Sequence, residues 1–201
     1  AVAAELKRFA PAGAALLLDS RKIRKGDVFF AVKGVHTDGR AFIEKACGAG
    51  ASCVVAEKGD IGPCSVPVIE IDNLYRALGP IAAAYYGNST AQMIGIAVTG
   101  TNGKTTTANW IADLMNRLGT PCASIGTLGC TLNGIVLPSV SMTTPDPLTL
   151  QAKFAELLSR GCKAFAMEAS SIGLEQGRLD GTEIKTAVFT NLTRDHLDYH
   201  G

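Results

Sequence analysis

The sequence carries almost no excess of either charge: Lys and Arg number 19 and Asp and Glu 18 in 201 residues, a formal net charge of +1. A nucleic-acid surface needs a basic excess to offset phosphate charge, and neither half of the chain has one, so that class of partner is excluded. Long apolar runs are also missing. No stretch approaches the roughly 20 residues that span a bilayer, and the first residues lack a basic stretch followed by an apolar core. The expectation is a cytoplasmic protein with no membrane partner. Six cysteines, at 47, 53, 64, 122, 130 and 162, form no C-x-x-C pair. Cys53, Cys122 and Cys162 lie in or beside apolar segments, which points to core thiols in a reducing compartment rather than a disulfide frame or a zinc site. Internal repeats and low-complexity tracts are absent.

What is present is an alternation of strand and helix patterns. From about residue 14 it runs through the apolar "ALLLDS", a basic turn, the strand "VFFAVKG", the loop "VHTDGR", the helical "AFIEKACGAG" and the strand "SCVVAE". A Gly/Pro linker, "VPVIEI" and the helical "LYRALGPIAAAYYG" follow. The small polar stretch "GNST", Gly87 to Thr90, then marks a boundary, giving expected domains at 1–88 and 89–201. Beyond it come the strand "MIGIAV", a helix, the strand "CASIG", a hairpin around Asn133-Gly134 and the loop "SMTTPDP". Asp146 is an N-cap with Pro147 at the first helical position, opening "LTLQAKFAELLSRG". The strand "AFAME", the loop "ASSIGLEQGRL" and the strand "TAVFTN" complete the series. Such alternation predicts α/β architecture, with a mostly parallel sheet covered on both faces.

The chemistry centres on "VTGTNGKTTT", Val98 to Thr107. A literal GxxxxGK[ST] search rejects it, because Val98 stands where the first glycine should be. The physical requirements are nevertheless met. An apolar strand aims the loop, Gly100 and Gly103 bracket the turn, and Lys104 and Thr105 open a helix on which Ile111, Leu114, Met115 and Leu118 recur at i, i+3, i+4, i+7. This reads as a short phosphate loop, with Lys104 set against terminal phosphates and the Thr105 hydroxyl offered to Mg²⁺.

Parallel sheets bind ligands at the carboxyl ends of their strands. "AFAM" ends at Glu168, which is either a buried carboxylate for a cation or an acceptor that caps a loop. "TAVFTN" runs toward Asp195 and His196; by residue type alone a loop histidine is more often solvated than a magnesium ligand. The hydroxyls and amide of "SMTTPDP" and "ASSIGLEQGR", with Arg178, suit a ligand bearing phosphates, carboxylates and sugar hydroxyls, although some of these hydroxyls serve only as helix caps. In the first half, Ser20, Arg21 and His36 lie in turns next to strands and carry little meaning as isolated features, while turn formation explains Gly26, Asp27, Gly34 and Gly39 without any function.

Taken in order, "DSR", "GDVFFAVKG", "HTDGR", "GTNGKTTT", "TTPDP", "MEASSIGLEQGRL" and "TNLTRDHLDYHG" resemble the ATP-dependent Mur ligases of bacterial cell-wall synthesis. The resemblance is to the MurE type, which adds the third amino acid, meso-diaminopimelate or L-lysine, to UDP-N-acetylmuramoyl-L-alanyl-D-glutamate, and it covers almost the whole chain. It implies ATP and Mg²⁺ as cofactors, small-molecule substrates and a monomer. Gly100, Thr101, Asn102, Gly103, Lys104, Thr105 and Thr106 would then bind ATP, with Lys104, Glu168 and His196 catalytic and Thr105, Glu168 and His196 at the metal. Leu18, Ser20, His36, Thr37 and Asp38 would grip the uridine diphosphate, and Thr143, Thr144, Ser170, Gln176 and Arg178 the muramoyl-dipeptide.

Two positions depart from the family pattern. Ile172 stands where the motif commonly has histidine, and Met142 where some relatives carry asparagine. The resemblance also implies a third domain and a modified lysine that these 201 residues do not contain, so the fragment alone is expected to be inactive. The other members weighed are the terminal dipeptide-adding ligase and the folylpolyglutamate synthases. A rival class is a non-catalytic ATP-sensing module, which would have no need of the hydroxyl-rich loops and Arg178.

Overall fold

Strand and helix alternate because each parallel strand must return to the same sheet edge over a covering segment. The computed structural model, which describes residues 2–34, 37–137 and 144–193, holds one largely parallel sheet in each of two units, Ala1–Gly87 and Asn88–Gly201.

The first unit runs α1 (Val2–Phe9), β1 (Leu16–Leu17), β2 (Val28–Ala31), α2 (Ile43–Gly48), β3 (Cys53–Glu57), β4 (Val68–Ile71) and α3 (Leu74–Tyr85). Its strands lie in the order β1-β2-β3-β4, all parallel. β2 is buried throughout and β3 nearly so, as continuous apolar runs require. Phe29, Ala31, Val54 and Ala56 pack against Ile43 and Ala46 of α2. Glu57, at the end of β3, accepts from the backbone N–H groups of Asn73 (2.8 Å) and Leu74 (2.9 Å), satisfying two donors at the start of α3.

Three features differ from the sequence expectation. "ALLLDS" is strand only at Leu16–Leu17, because Asp19 accepts from Arg21 N and caps a 3-10 turn at Ser20–Lys22. The helix expected from Ala41 begins as a 3-10 turn, Gly39–Phe42, capped by Asp38, and becomes α-helical at Ile43. Helix α1 lies before the first expected strand. Only Leu6 of its eight residues is buried, so its apolar periodicity is too short to read.

The second unit comprises β5 (Ile94–Thr99), α4 (Lys104–Arg117), β6 (Cys122–Gly126), β7 (Gly129–Leu132), β8 (Ile135–Leu137), α5 (Pro147–Ser159), β9 (Ala164–Glu168), α6 (Ser171–Glu175) and β10 (Thr186–Phe189). The order is β10-β5-β9-β6-β7-β8, with the first four strands parallel and the last two antiparallel. Asn133 and Gly134 both have positive φ in the β7–β8 turn, the geometry an Asn-Gly pair favours. The stretch expected as a loop after β9 contains α6 instead, with Ser170 Oγ accepting from Gly173 N at 3.1 Å as its N-cap.

Side-chain parity on β9 organises the core. Phe165 and Met167 join Leu150, Phe154 and Leu157 of α5 on one face, while Ala164 and Ala166 meet α4 on the other. The small residues on the α4 face let that helix approach through Ala108 and Ala112, its buried positions. This corrects the apolar stripe read from sequence: Ile111 and Met115 pack inward, but Leu114 and Leu118 are 58% and 75% exposed. Alanine carries little weight in a periodicity reading, yet here it marks the packed face.

Asp146 Oδ1 accepts from Leu148 N (3.0 Å) and Thr149 N (3.1 Å), and Oδ2 accepts from the Thr149 hydroxyl (2.6 Å). Replacing Asp146 with alanine removes all three bonds and should cost about 1 kcal/mol. Urea unfolding of Asp146→Ala beside the parent chain checks this; an unchanged midpoint would mean that the cap contributes nothing to α5.

Candidate functional site

The parallel strands β10, β5, β9 and β6 deliver their carboxyl ends to one edge. Strand order reverses around β5: the chain leaves it through α4 to β6, returns to β9 on one side, and reaches β10 on the other. Such a switch point opens a crevice between diverging loops. The loop at 100–103 lies there.

Gly100 has φ +127°, and a Cβ would collide with the Thr190 hydroxyl and approach Asn191 O at 2.9 Å, so glycine is required twice over. The loop is tied to the continuation of β10. Thr101 N and Asn102 N donate to Asn191 O (3.0 Å) and Asn191 Oδ1 (2.9 Å), and Thr190 Oγ1 donates to Asn102 O (2.6 Å). The N–H groups of Thr101 and Asn102 are therefore engaged internally. Those of Lys104, Thr105 and Thr106 open α4, where no intrahelical acceptor exists, and the capping residue Gly103 offers no side chain. With the helix dipole behind them they form an anion site. Lys104 Nζ folds over the same mouth, donating to Gly100 O (2.7 Å) and Thr101 O (3.0 Å).

Glu168 ends β9 on the α4 side and is only 2% exposed. Its carboxylate accepts from Thr127 N (2.8 Å) and the Thr127 hydroxyl (3.3 Å). A Cβ on Gly126 would overlap Oε1 and lie 2.5 Å from Cδ, so glycine at the end of β6 makes room for the acid. Thr105, Asn109, Ser124 and Glu168 line a cavity of about 10 Å³, the space of one water-sized species. A hydroxyl and a carboxylate at such a cavity are hard oxygen donors and fit Mg²⁺, which keeps several waters and takes few protein ligands. Among the described residues no group of three or more His, Cys, Asp or Glu could hold a metal, so a cation here would rest on Thr105, Glu168 and oxygens from solvent or phosphate.

Beside this edge lies a hydroxyl and amide cluster. The buried Thr144 donates through Oγ1 to Glu168 O (3.2 Å) and shares a hydrogen bond with Ser170 Oγ (3.2 Å). Arg178 donates to Thr144 O (2.8 Å) and, through Nε and Nη2, to Gln176 Oε1 (2.9 and 2.7 Å). Thr144, Ser170, Gln176 and Arg178 are thus brought together one connection away from Glu168. Ile172, on α6, is half-buried and provides no polar group.

In the first unit the loops after β1 and β2 leave the same edge of the parallel sheet. Leu18 is 37% exposed and Ser20 is buried. Thr37 O accepts from Gly34 N (3.0 Å), and Asp38 holds Arg40 through paired hydrogen bonds, the shortest 2.7 Å. The neighbouring guanidinium of Arg21 brings Asp19 down to about 2, and that of Arg40 holds Asp38 below the usual carboxylate range. Both aspartates therefore shape their own turns. His36, Thr143 and His196 lie outside the described residues, as does Met142.

Sequence reasoning missed Gly126, Thr127, Thr190 and the bracing role of Asn191. The rule that strand ends carry the site, applied to "CASIG" as to the other strands, would have found Gly126 and Thr127.

A glycine-turned loop, a helix N-terminus, a lysine and a buried carboxylate at a parallel switch point define an α/β protein of the phosphate-loop class. Family comparison is consistent with that class. The Mur ligase middle domain matches residues 98–201, and the Mur ligase family catalytic domain matches residues 14–86. This chain belongs to the Mur ligase family. It is 48% identical to the UDP-N-acetylmuramoyl-L-alanyl-D-glutamate–2,6-diaminopimelate ligase of Ralstonia nicotianae over 98% of this chain and 40% of that protein. The ligase of the same name from Coxiella burnetii is 46% identical over 93% of this chain and 39% of its own length. The chain thus spans about two-fifths of the length of these curated relatives. A solved structure of such a ligase superposes with a TM-score of 0.79 at 34% identity, covering 98% of this chain and 41% of that one. The MurF ligase of Thermotoga maritima in complex with ADP shares the fold, with a TM-score of 0.66 at 22% identity over 92% of this chain and 39% of that one.

The fit of Gly126 beneath Glu168 makes a direct prediction. Gly126→Ala should destabilise the second unit by about 1–3 kcal/mol through overpacking. Combined with Glu168→Ala, it should cost clearly less than the sum of the single changes, because the clashing partner is gone. A thermal-unfolding double-mutant cycle measures the coupling, and simple additivity would show that the two residues do not meet.

Proposed function

We propose that the protein containing this chain is an ATP-dependent amide ligase that adds 2,6-diaminopimelate as the third residue to UDP-N-acetylmuramoyl-L-alanyl-D-glutamate. The observation that carries the proposal is the convergence of the anion site at Lys104–Thr106, the Thr105–Glu168 cavity and the Arg178 cluster on one edge. A nucleotide-sensing module would need the first of these and not the third. Diaminopimelate is the amino acid in the names of the ligases to which this chain is 46–48% identical.

In this reading residues 1–88 grip the UDP-sugar and residues 89–201 begin the ATP-binding domain. The side-chain carboxylate of D-glutamate is phosphorylated, and the incoming amine then displaces phosphate to form the amide. The difficulty is electrostatic, since a carboxylate must approach a polyphosphate. Lys104 and the backbone N–H groups at the start of α4 offset that repulsion, more strongly where water is excluded. Mg²⁺ bound at Thr105 and Glu168 would supply further charge neutralisation there. Arg178, held in place by Thr144 and Gln176, would orient the peptide end. His196 and Thr143 belong to this proposal by family resemblance. The same reading has the ligase act as a monomer on small-molecule substrates.

The test uses the full-length protein. Lys104→Ala should lower kcat by on the order of 10²–10³ while leaving UDP-sugar binding largely intact, because the lysine acts on transferring phosphate. Arg178→Ala should weaken the dipeptide precursor about tenfold in a calorimetric titration, the loss of a charge-assisted hydrogen bond. A Lys104→Ala enzyme that retained most of its amide-forming rate would overturn the assignment. So would a protein that bound a folate or the tripeptide precursor in preference to the dipeptide precursor.

A further inference from the structure

The six thiols fall into two groups. Cys53, Cys122, Cys130 and Cys162 are buried. Burial pushes Cys53 and Cys122 up to about 12 and Cys130 up to about 11, which leaves them poor nucleophiles. Cys47 and Cys64 are half-buried, and their Sγ atoms lie 3.2 Å apart although 17 residues separate them in sequence.

Cys47 sits in the last turn of α2 and Cys64 in the segment between β3 and β4. Both rest on one apolar cluster with Ile61 and Val66. A disulfide requires an S–S separation near 2.05 Å, so closure asks for about 1.2 Å of approach between the two sulfurs. The same two elements form facing walls of a cleft of about 470 Å³: Ile43 and Glu44 come from α2, and Asp60, Gly62 and Pro63 from the segment before Cys64.

We propose that Cys47 and Cys64 form a reversible intramolecular disulfide that latches the 58–66 segment onto α2 and fixes the width of this cleft. With hydrogen peroxide as oxidant, one thiol gives up its proton and its sulfur attacks a peroxide oxygen; the O–O bond breaks and the departing hydroxide takes up that proton, giving a sulfenic acid and one water. The second thiol gives up its proton and its sulfur attacks the sulfenyl sulfur; the S–O bond breaks and the departing hydroxide takes up that proton as a second water while the S–S bond forms. Two thiols are oxidised and one peroxide is reduced. An external dithiol reverses the change by exchange through a mixed disulfide. Burial, and after it the adjacent Cys64 thiol, push the Cys47 thiol up, so oxidation of the pair is slow and calls for an excess of peroxide. The cysteine spacing did not reveal the pair, because it is made by the packing of two elements.

The 201-residue chain is treated with hydrogen peroxide, then blocked and digested with trypsin. The expected product has lost two hydrogens and yields a cross-link between peptides 46–58 and 59–76, with fragmentation placing the bond on Cys47 rather than Cys53. Hydrogen exchange across 58–66 should slow several-fold in the oxidised chain and recover with dithiothreitol. Cys47→Ser and Cys64→Ala should each abolish both effects. A link from Cys64 to Cys53, free thiols at 47 and 64 after oxidation, or a correct link that leaves exchange across 58–66 unchanged would each overturn the proposal. The parent-chain mass and exchange data decide it even where a variant folds poorly.

Discussion

A carboxylate cannot be buried without compensation, and Glu168 is the acid on which the second unit's functional edge depends. Its position follows from parity: Ala164 and Ala166 face α4, so the next residue on that side ends the strand under the helix N-terminus. Each neighbour answers its charge. Thr127 supplies a backbone N–H and a hydroxyl, Gly126 gives up a side chain, and the positive end of α4 stands nearby with Thr105 on the shared cavity. Thr144, bonded to the Glu168 carbonyl, carries the order on to Ser170 and Arg178.

The phosphate loop is braced by a different means. Its first N–H groups are held by Asn191, so the loop is fixed before any anion arrives, and the donors left over are those aligned with the helix axis. This division between bracing and binding explains why glycine is needed at Gly100, beside Thr190 and Asn191, and at Gly103, which has φ +85° as the capping residue. The bracing reaches from β5 to β10 and so depends on the strand order, which local sequence does not encode.

The architecture was legible because strand and helix patterns differ in period, and because breakers such as Asn133-Gly134 and Asp146-Pro147 have specific geometries. The family was legible from the resemblance of several motifs in fixed order. What escaped the reading was of two kinds. Short elements such as α1 and α6 have too few buried residues to leave a pattern. Contacts between distant elements, such as Gly126 with Glu168 or Cys47 with Cys64, join residues that share a place in the fold and have no relation in sequence. The α4 face was misread because the decisive contacts are made by alanines, whose small size allows close packing while larger residues such as Leu118 remain outside.

The two units use aspartate and glutamate in contrasting ways. In the first, Asp19 and Asp38 pair with arginines only two residues away, Arg21 and Arg40, and cap the turns they begin. Their charges are met locally, and the pairs shape the turns they begin. In the second, among the described residues, Thr127 donates to the Glu168 carboxylate and no arginine or lysine does, and Lys104 donates to carbonyl oxygens rather than to a carboxylate. An ion pair between these two would be self-sufficient and would compete with a ligand. Kept apart, the cation and the anion each retain capacity for an outside partner of opposite sign. A polyphosphate carrying its divalent cation offers both.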